Sequence, residues 1–180
     1  ADNSICSGTS VTFTATPTNG GTSPNYQWKL NGANVGTNST SYINSALTNG
    51  DVVTVVMTAN NACQTSSTAN GNSITTTVLN SVTPTISITS NNTTVCSGTA
   101  VSFTSTPTNG GTSPTYQWKK NGVNISGATS GTYTLSAPAN NDVITLVMTS
   151  NNACQTESTA TSNAVTLTVS SASTPSVSIV

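Results

Sequence analysis

The chain of 180 residues has no histidine and no arginine. Its only carboxylates are Asp2, Asp51, Asp142 and Glu157, and its only cations are Lys29, Lys119 and Lys120. These shortages exclude most chemistry. General acid–base catalysis needs titratable groups gathered in one pocket, and these are scattered singly. A Ser–His triad has no base, and the usual zinc sites have no imidazole to draw on. Calcium sites want several carboxylates close together. A net charge of -1 gives no reason to attract DNA or RNA. No stretch is long or apolar enough to span a membrane. The expectation is a non-enzyme with no catalytic, metal-binding or cofactor-binding residues, no nucleic-acid partner and no membrane insertion. No signal peptide is visible, which leaves a mature fragment or a cytosolic protein.

What the chain does have is Thr, Ser, Asn and Gly in abundance. With so little charge this could signal disorder, but apolar residues make up 33% of the chain and alternate strictly in places. Thr also suits a pleated surface, because of its β-branch. VTFTA (11–15) turns Val11, Phe13 and Ala15 to one face, and YQWKL (26–30) does the same with Tyr26, Trp28 and Leu30. DVVTVVMT (51–58) aligns Val53, Val55 and Met57, and SITTTV (73–78) aligns Ile74, Thr76 and Val78. A period of two marks strands. Asn-Gly at 19–20, 31–32 and 49–50 and Asn-Asn at 60–61 punctuate them as turns.

The whole pattern is written twice. TPTNGGTSPNYQWKLNG (16–32) returns as TPTNGGTSPTYQWKKNG (106–122), with only Asn25/Thr115 and Leu30/Lys120 differing. Phe13 matches Phe103, and Tyr26 and Trp28 match Tyr116 and Trp118. After a one-residue insertion Tyr42 matches Tyr133, Asp51 matches Asp142 and Met57 matches Met148. Cys6 and Cys63 match Cys96 and Cys154. A period of about 90 residues means two modules of one kind. The expected division is 1–80 for the first module, without an opening strand, 81–171 for the second, and 172–180 for the opening strand of a following repeat. PSVSIV (175–180) resembles PTISIT (84–89), and PSVSIV joined to ADNSIC reads like PTISITSNNTTVC with one residue removed. Two readings follow: one unit cut from a longer periodic array, or a separate subunit that donates its last strand to the next.

About seven short strands per module imply a β-sandwich. YQWKLNG resembles the third strand of an immunoglobulin domain and GDVVTVVMT its sixth, with Asp51 where those domains carry the Asp before the sixth strand. The resemblance implies an all-β chain of two tandem immunoglobulin-like antiparallel sandwiches, with Trp28, Trp118, Met57, Met148, Phe13 and Phe103 as core anchors. It places the usual inter-sheet disulfide at Ala15 and Met57, and at Ser105 and Met148, so this chain keeps the core Trp and drops that bond. C-S-G-T-x-V-x-F, YQW-x-x-NG and T-x-N-N-A-C-Q-T together resemble immunoglobulin-like repeats of very large secreted proteins of Bacteroidetes, found in cell-surface adhesins, gliding-associated proteins and polysaccharide-degrading enzymes exported by type IX secretion.

Four cysteines at matched positions read as disulfides, hence an extracellular setting. With no His and no close Cys pairs they do not read as a metal site. Two pairings stand. Cys6–Cys63 and Cys96–Cys154 would each close a module, and a loop of roughly 57 residues is worth about 4 kcal/mol in the chain-entropy model. In an immunoglobulin topology, however, Cys6 and Cys63 fall at opposite ends of the sandwich, on the order of 25–30 Å apart, whereas a disulfide needs Cα atoms roughly 4.4–6.8 Å apart. On that second pairing Cys6 joins Cys154, and Cys63 and Cys96 pair outward with neighbouring modules; the within-module pairing holds if the long loop 59–72 folds back down the sandwich.

Trp28, Trp118, Tyr26 and Tyr116 could stack on sugars, but strand alternation puts them on core faces. Tyr42 and Tyr133 read as core or as a lock at a sheet edge. The lysines read as solvated charges, and Asp51 and Asp142 as acceptors for a turn. The sequons at Asn38, Asn92 and Asn124 would stay bare in a bacterial protein. The linkers LNSVTPT (79–85) and SSASTP (170–175) are short and carry a Pro, which limits bending. The expected function is a structural repeat of an extended extracellular stalk or filament whose partners are neighbouring repeats, with glycans or abiotic surfaces as further candidates. The alternative is a polysaccharide-binding accessory module, which requires a row of exposed aromatics.

Overall fold

A computed structural model describes residues 4–171 and 173–179. The chain divides into two compact units, Ala1–Ser81 and Val82–Val180. All regular structure among the described residues is strand.

In unit 1 the strands are β1 (Ser4–Cys6), β2 (Val11–Thr14), β3 (Asn25–Leu30), β4 (Ala33–Val35), β5 (Ser41–Asn44), β6 (Val52–Thr58), β7 (Thr68–Asn70), β8 (Ile74–Thr75) and β9 (Thr77–Leu79). One sheet runs β4-β3-β6-β7, with β8 also on β6; β2 pairs with β5, and β1 pairs in parallel with β9. Alternation explains the burial. Phe13, Trp28 and Val53 point inward and are joined by Leu47, while the Thr and Asn between them stay in solvent. Asn31 and Gly32 both have positive φ, 51° and 83°, as a two-residue type I′ hairpin requires. They join β3 to β4.

Unit 2 repeats the plan with β10 (Thr85–Ser90), β11 (Thr94–Cys96), β12 (Val101–Thr108), β13 (Thr115–Lys120), β14 (Val123–Asn124), β15 (Thr132–Leu135), β16 (Val143–Thr149), β17 (Thr159–Thr161), β18 (Val165–Thr166) and β19 (Thr168–Ser170). Its sheets are β10-β12-β15 and β14-β13-β16-β17, with β18 on β16 and β11 parallel to β19. Ile86, Ile88, Val101 and Phe103 from the first sheet meet Trp118, Ile144, Leu146 and Met148 from the second in one core. This strand order and face-to-face packing make each unit an immunoglobulin-like sandwich.

The units differ in one element. Unit 2 has β10, antiparallel to β12, and β12 extends over eight residues. In unit 1 β2 is four residues long and its only described partner is β5.

Candidate functional site

The duplicated TPTNGGTSP segment is held by the asparagines of the equally duplicated T-x-N-N-A-C-Q-T loop. In unit 1 the Asn60 N–H donates to the Gly20 carbonyl at 3.0 Å, and its Oδ1 accepts the Ser23 N–H at 3.1 Å. The Asn61 side-chain amide donates to the Asn19 carbonyl. In unit 2 Asn151 repeats the clip, donating to Gly110 at 3.0 Å and accepting from Ser113 at 3.0 Å. Gly21 has φ +86°, and a Cβ there would stand 2.1 Å from the Asn60 Oδ1. The glycine is therefore required both by conformation and by the close approach of the asparagine.

Asp51 and Asp142 fasten the corner before β6 and β16. The Asp51 carboxylate accepts the Thr48 N–H at 2.8 Å and the Asn31 side-chain amide at 2.7 Å. The Thr48 backbone bond, then the Asn31 bond, hold its pKa below the usual 3.8, against the opposing effect of burial. For Asp142 burial is the largest influence and pushes upward. The Ala139 N–H, the Asn121 amide and the Lys120 ammonium together outweigh it and hold the group below its usual value. Lys120 reaches Asp142 at 3.2 Å; its twin in unit 1 is Leu30. Both carboxylates are buried and engaged by backbone and side-chain donors at their corners. Among the described residues no three of His, Cys, Asp and Glu come together.

The aromatics are structural. Tyr42 stacks between Phe13 and Trp28, with centroids 6.0 and 5.8 Å away. Trp28 and Trp118 are 3% and 0% exposed and Phe13 and Phe103 5% and 0%. The indole N–H of Trp28 donates to the Ser39 carbonyl at 2.9 Å, and that of Trp118 to Ser130 at 2.8 Å. Tyr26 is buried, and Tyr42, Tyr116 and Tyr133 are half-buried. They present no exposed aromatic row.

The cysteines correct the within-module pairing. Cys6 and Cys154 are disulfide-bonded, whereas Cys63 and Cys96 are free and exposed, so neither Cys6–Cys63 nor Cys96–Cys154 is formed. The reason lies within each unit. Cys6 pairs with Leu79 beside the start of β6, where Asn49 holds the Val78 N–H. Cys63 lies beyond the end of β6. Seven residues of strand at about 3.3 Å each separate the two ends, far outside disulfide reach. Cys96 and Cys154 are separated in the same way by β16.

A concave surface rich in apolar groups lies in unit 1. A groove of about 400 Å³ runs along β2 and its continuation to Thr18, floored by Trp28, Val55 and Met57 and walled by residues 69–74. Val55 and Met57 are half-exposed, whereas their twins Leu146 and Met148 are both 0% exposed. In unit 2 that space is occupied by β10, whose Ile86 and Ile88 are 8% and 3% exposed. Asn163 grips β10 from the side: its Oδ1 accepts the Ile88 N–H at 2.9 Å and its amide donates to the Ile88 carbonyl at 3.1 Å. Its twin Asn72 lines the groove in unit 1. The alternation of strand residues revealed Met57 and Val55 as inward-facing. It gave no sign of the Asn72 and Asn60 contacts, whose only signal is that each asparagine recurs in the second copy.

The chain matches no protein-family model and no curated protein. Solved structures similar to this chain include immunoglobulin and fibronectin(III)-like domains. The N-terminal four Ig domains of Dscam1 isoform 8.4 are 17% identical over 93% of this chain, with a TM-score of 0.40, and the chain spans 42% of that fragment. Murine CEACAM1b is 15% identical over 93% of this chain and 96% of its own, with a TM-score of 0.43. The fibronectin(III)-like modules of Clostridium thermocellum CbhA are 11% identical over 94% of this chain and 90% of theirs, with a TM-score of 0.40. The topology of each unit, strand by strand, makes this chain a tandem pair of immunoglobulin-like β-sandwiches.

Proposed function

We propose that the chain is a structural repeat of an extracellular stalk or filament, joined head to tail with like repeats and carrying an adhesive surface away from the cell, as in the Bacteroidetes repeats its motifs resemble. The cysteines carry this reading. Cys6 is of the type that precedes β2, and Cys154 is of the type that follows β16. Pairing Cys6 with Cys154 would join the first type in one copy to the second type in the other. The two thiols left over, Cys63 and Cys96, are one of each type and both exposed. A preceding and a following repeat would supply their partners by the same rule, giving a ladder of inter-repeat disulfides. Such bonds persist in an oxidising compartment, which supports an extracellular location. A sparsely charged surface of hydroxyls and amides, repeated along an array, suits many weak contacts to glycans or abiotic surfaces. The buried tryptophans put polysaccharide binding by stacked aromatics second.

The test is a non-reducing disulfide map of the native assembled protein by mass spectrometry of linked peptides. The expected links are Cys6 to Cys154 and Cys63 of one repeat to Cys96 of another. Recovery of Cys63 and Cys96 as thiols in the assembled protein would sink the ladder.

A further inference from the structure

We propose that the open groove of unit 1 receives residues 175–180 of a second copy of this chain as an added β-strand. The occupant is identified by what fills the same place in unit 2. There PTISIT (84–89) lies antiparallel on β12, with Ile86 opposite Pro107 and Ile88 opposite Ser105. The tail PSVSIV (175–180) has the same spelling of Pro, polar and apolar positions, so Val177 matches Ile86 and Ile179 matches Ile88. Val177 and Ile179 are 97% and 101% exposed, and residues 173–179 form no strand. Two exposed branched apolar side chains at strand spacing thus occur in the same chain as a groove whose counterpart buries two.

The receiving edge is preserved residue for residue. Thr104, Thr106, Pro107 and Thr108 of β12 correspond to Thr14, Thr16, Pro17 and Thr18, and only Ser105 differs, as Ala15. All five line the groove. The register of β10 on β12 carries over directly, placing Val177 opposite Pro17 and Ile179 opposite Ala15. Val177 and Ile179 then cover Met57, Val55 and Trp28, as Ile86 and Ile88 cover the core of unit 2. Asn72 supplies one donor and one acceptor to the backbone of Ile179, as Asn163 does for Ile88. A strand edge with no partner among the described residues, beside an apolar groove, is the setting for strand addition, with backbone bonds for affinity and alternate side chains for specificity. The segment just before the tail fits as well. In unit 2 the Val82 N–H donates to the Cys154 carbonyl and the Val82 carbonyl accepts from Thr156. Ser173 stands at the matching place and would meet the Cys63–Thr65 loop.

This inference deepens the end-to-end reading above, and one set of experiments separates the two. The full chain is studied under reducing conditions, which removes the disulfides, beside the Val177→Asp/Ile179→Asp double variant. Both side chains are fully exposed, so the variant folds as the parent does. Sedimentation velocity follows association, and hydrogen exchange follows residues 13–18. The synthetic peptide STPSVSIV and its doubly substituted form are then added in excess. The expected result is concentration-dependent association of the parent, lost in the variant. With the variant as receiver, the parent peptide slows exchange at 13–18 by roughly tenfold or more and the substituted peptide does not. If the peptide protects 13–18 but the chain stays monomeric without protection there, the groove accepts a strand but not from a second copy, and the proposal is overturned while the disulfide-linked reading rests on its own non-reducing map. Association that persists in the double variant leaves the end-to-end reading standing and overturns strand docking. Protection of 13–18 in the monomeric chain without peptide means its own tail fills the groove, and it overturns a second copy as occupant.

Discussion

Asp51 and Asp142 hold equivalent corners with different neighbours, and they dominate the acid response of a chain with four carboxylates. Each has a folded pKa held below the usual 3.8. The unfolded state therefore binds more protons than the folded state across that window. Their contribution to stability is fully present above the unfolded value and is lost as pH falls through the folded values. With no histidine to titrate, stability is expected to stay flat from about pH 8 to pH 5 and to decline only below about pH 4. Urea unfolding across this range checks it. Asp142→Asn is expected to flatten the acid limb, and an unchanged limb in that variant would remove Asp142 from the account. Lys120 adds a partner that Leu30 cannot, but at a half-exposed site such a pair is worth little.

Between strands, the clip from the Asn-Asn loop to the Asn-Gly-Gly loop is the element that the chain repeats most literally. It joins the segment before β3 to the segment after β6, and the bonds of Asn60 to Gly20 and Ser23 recur as those of Asn151 to Gly110 and Ser113. Removing a side chain that closes several such bonds leaves acceptors and donors without partners, at about 1–3 kcal/mol. Asn151→Ala is therefore expected to lower the unfolding free energy of unit 2 by an amount in that range. Gly111→Ala is expected to cost at least as much, because φ is +86° and a Cβ would lie 2.2 Å from the Asn151 Oδ1. Denaturant titration of the two variants decides it, and a shift within error in both would mean that the loops are held by other contacts.

Across the whole molecule, two nearly identical units should not be equally stable. Unit 2 buries Ile86 and Ile88 of β10, each worth roughly 1.5–3 kcal/mol as an upper estimate. Unit 1 has Val55 and Met57 half-exposed in the same place. Amides of β2, β3 and β6 in the monomeric chain are expected to exchange faster than those of β12, β13 and β16, by the factor that such a gap implies. Equal protection in the two units would show that the groove costs unit 1 nothing. Salt is expected to move neither unit much, since only 4% of residues are charged.

Period-two alternation, Asn-Gly turns and literal repetition determined that the chain is all-β, that it consists of two like sandwiches, and that Trp28, Trp118, Phe13 and Phe103 face inward. Those features are local, and a strand shows its buried face in its own residues. The sequence left the cysteine pairing open, because proximity depends on which end of β6 or β16 each cysteine reaches. It could not show the asparagine clips, which join residues nearly forty positions apart, nor Leu47 as a core residue in a turn. Only the tertiary structure decided that Met57 and Met148, the same residue in the same strand, differ in burial. Burial belongs to a side chain together with whatever covers it, and β10 covers only one of the two.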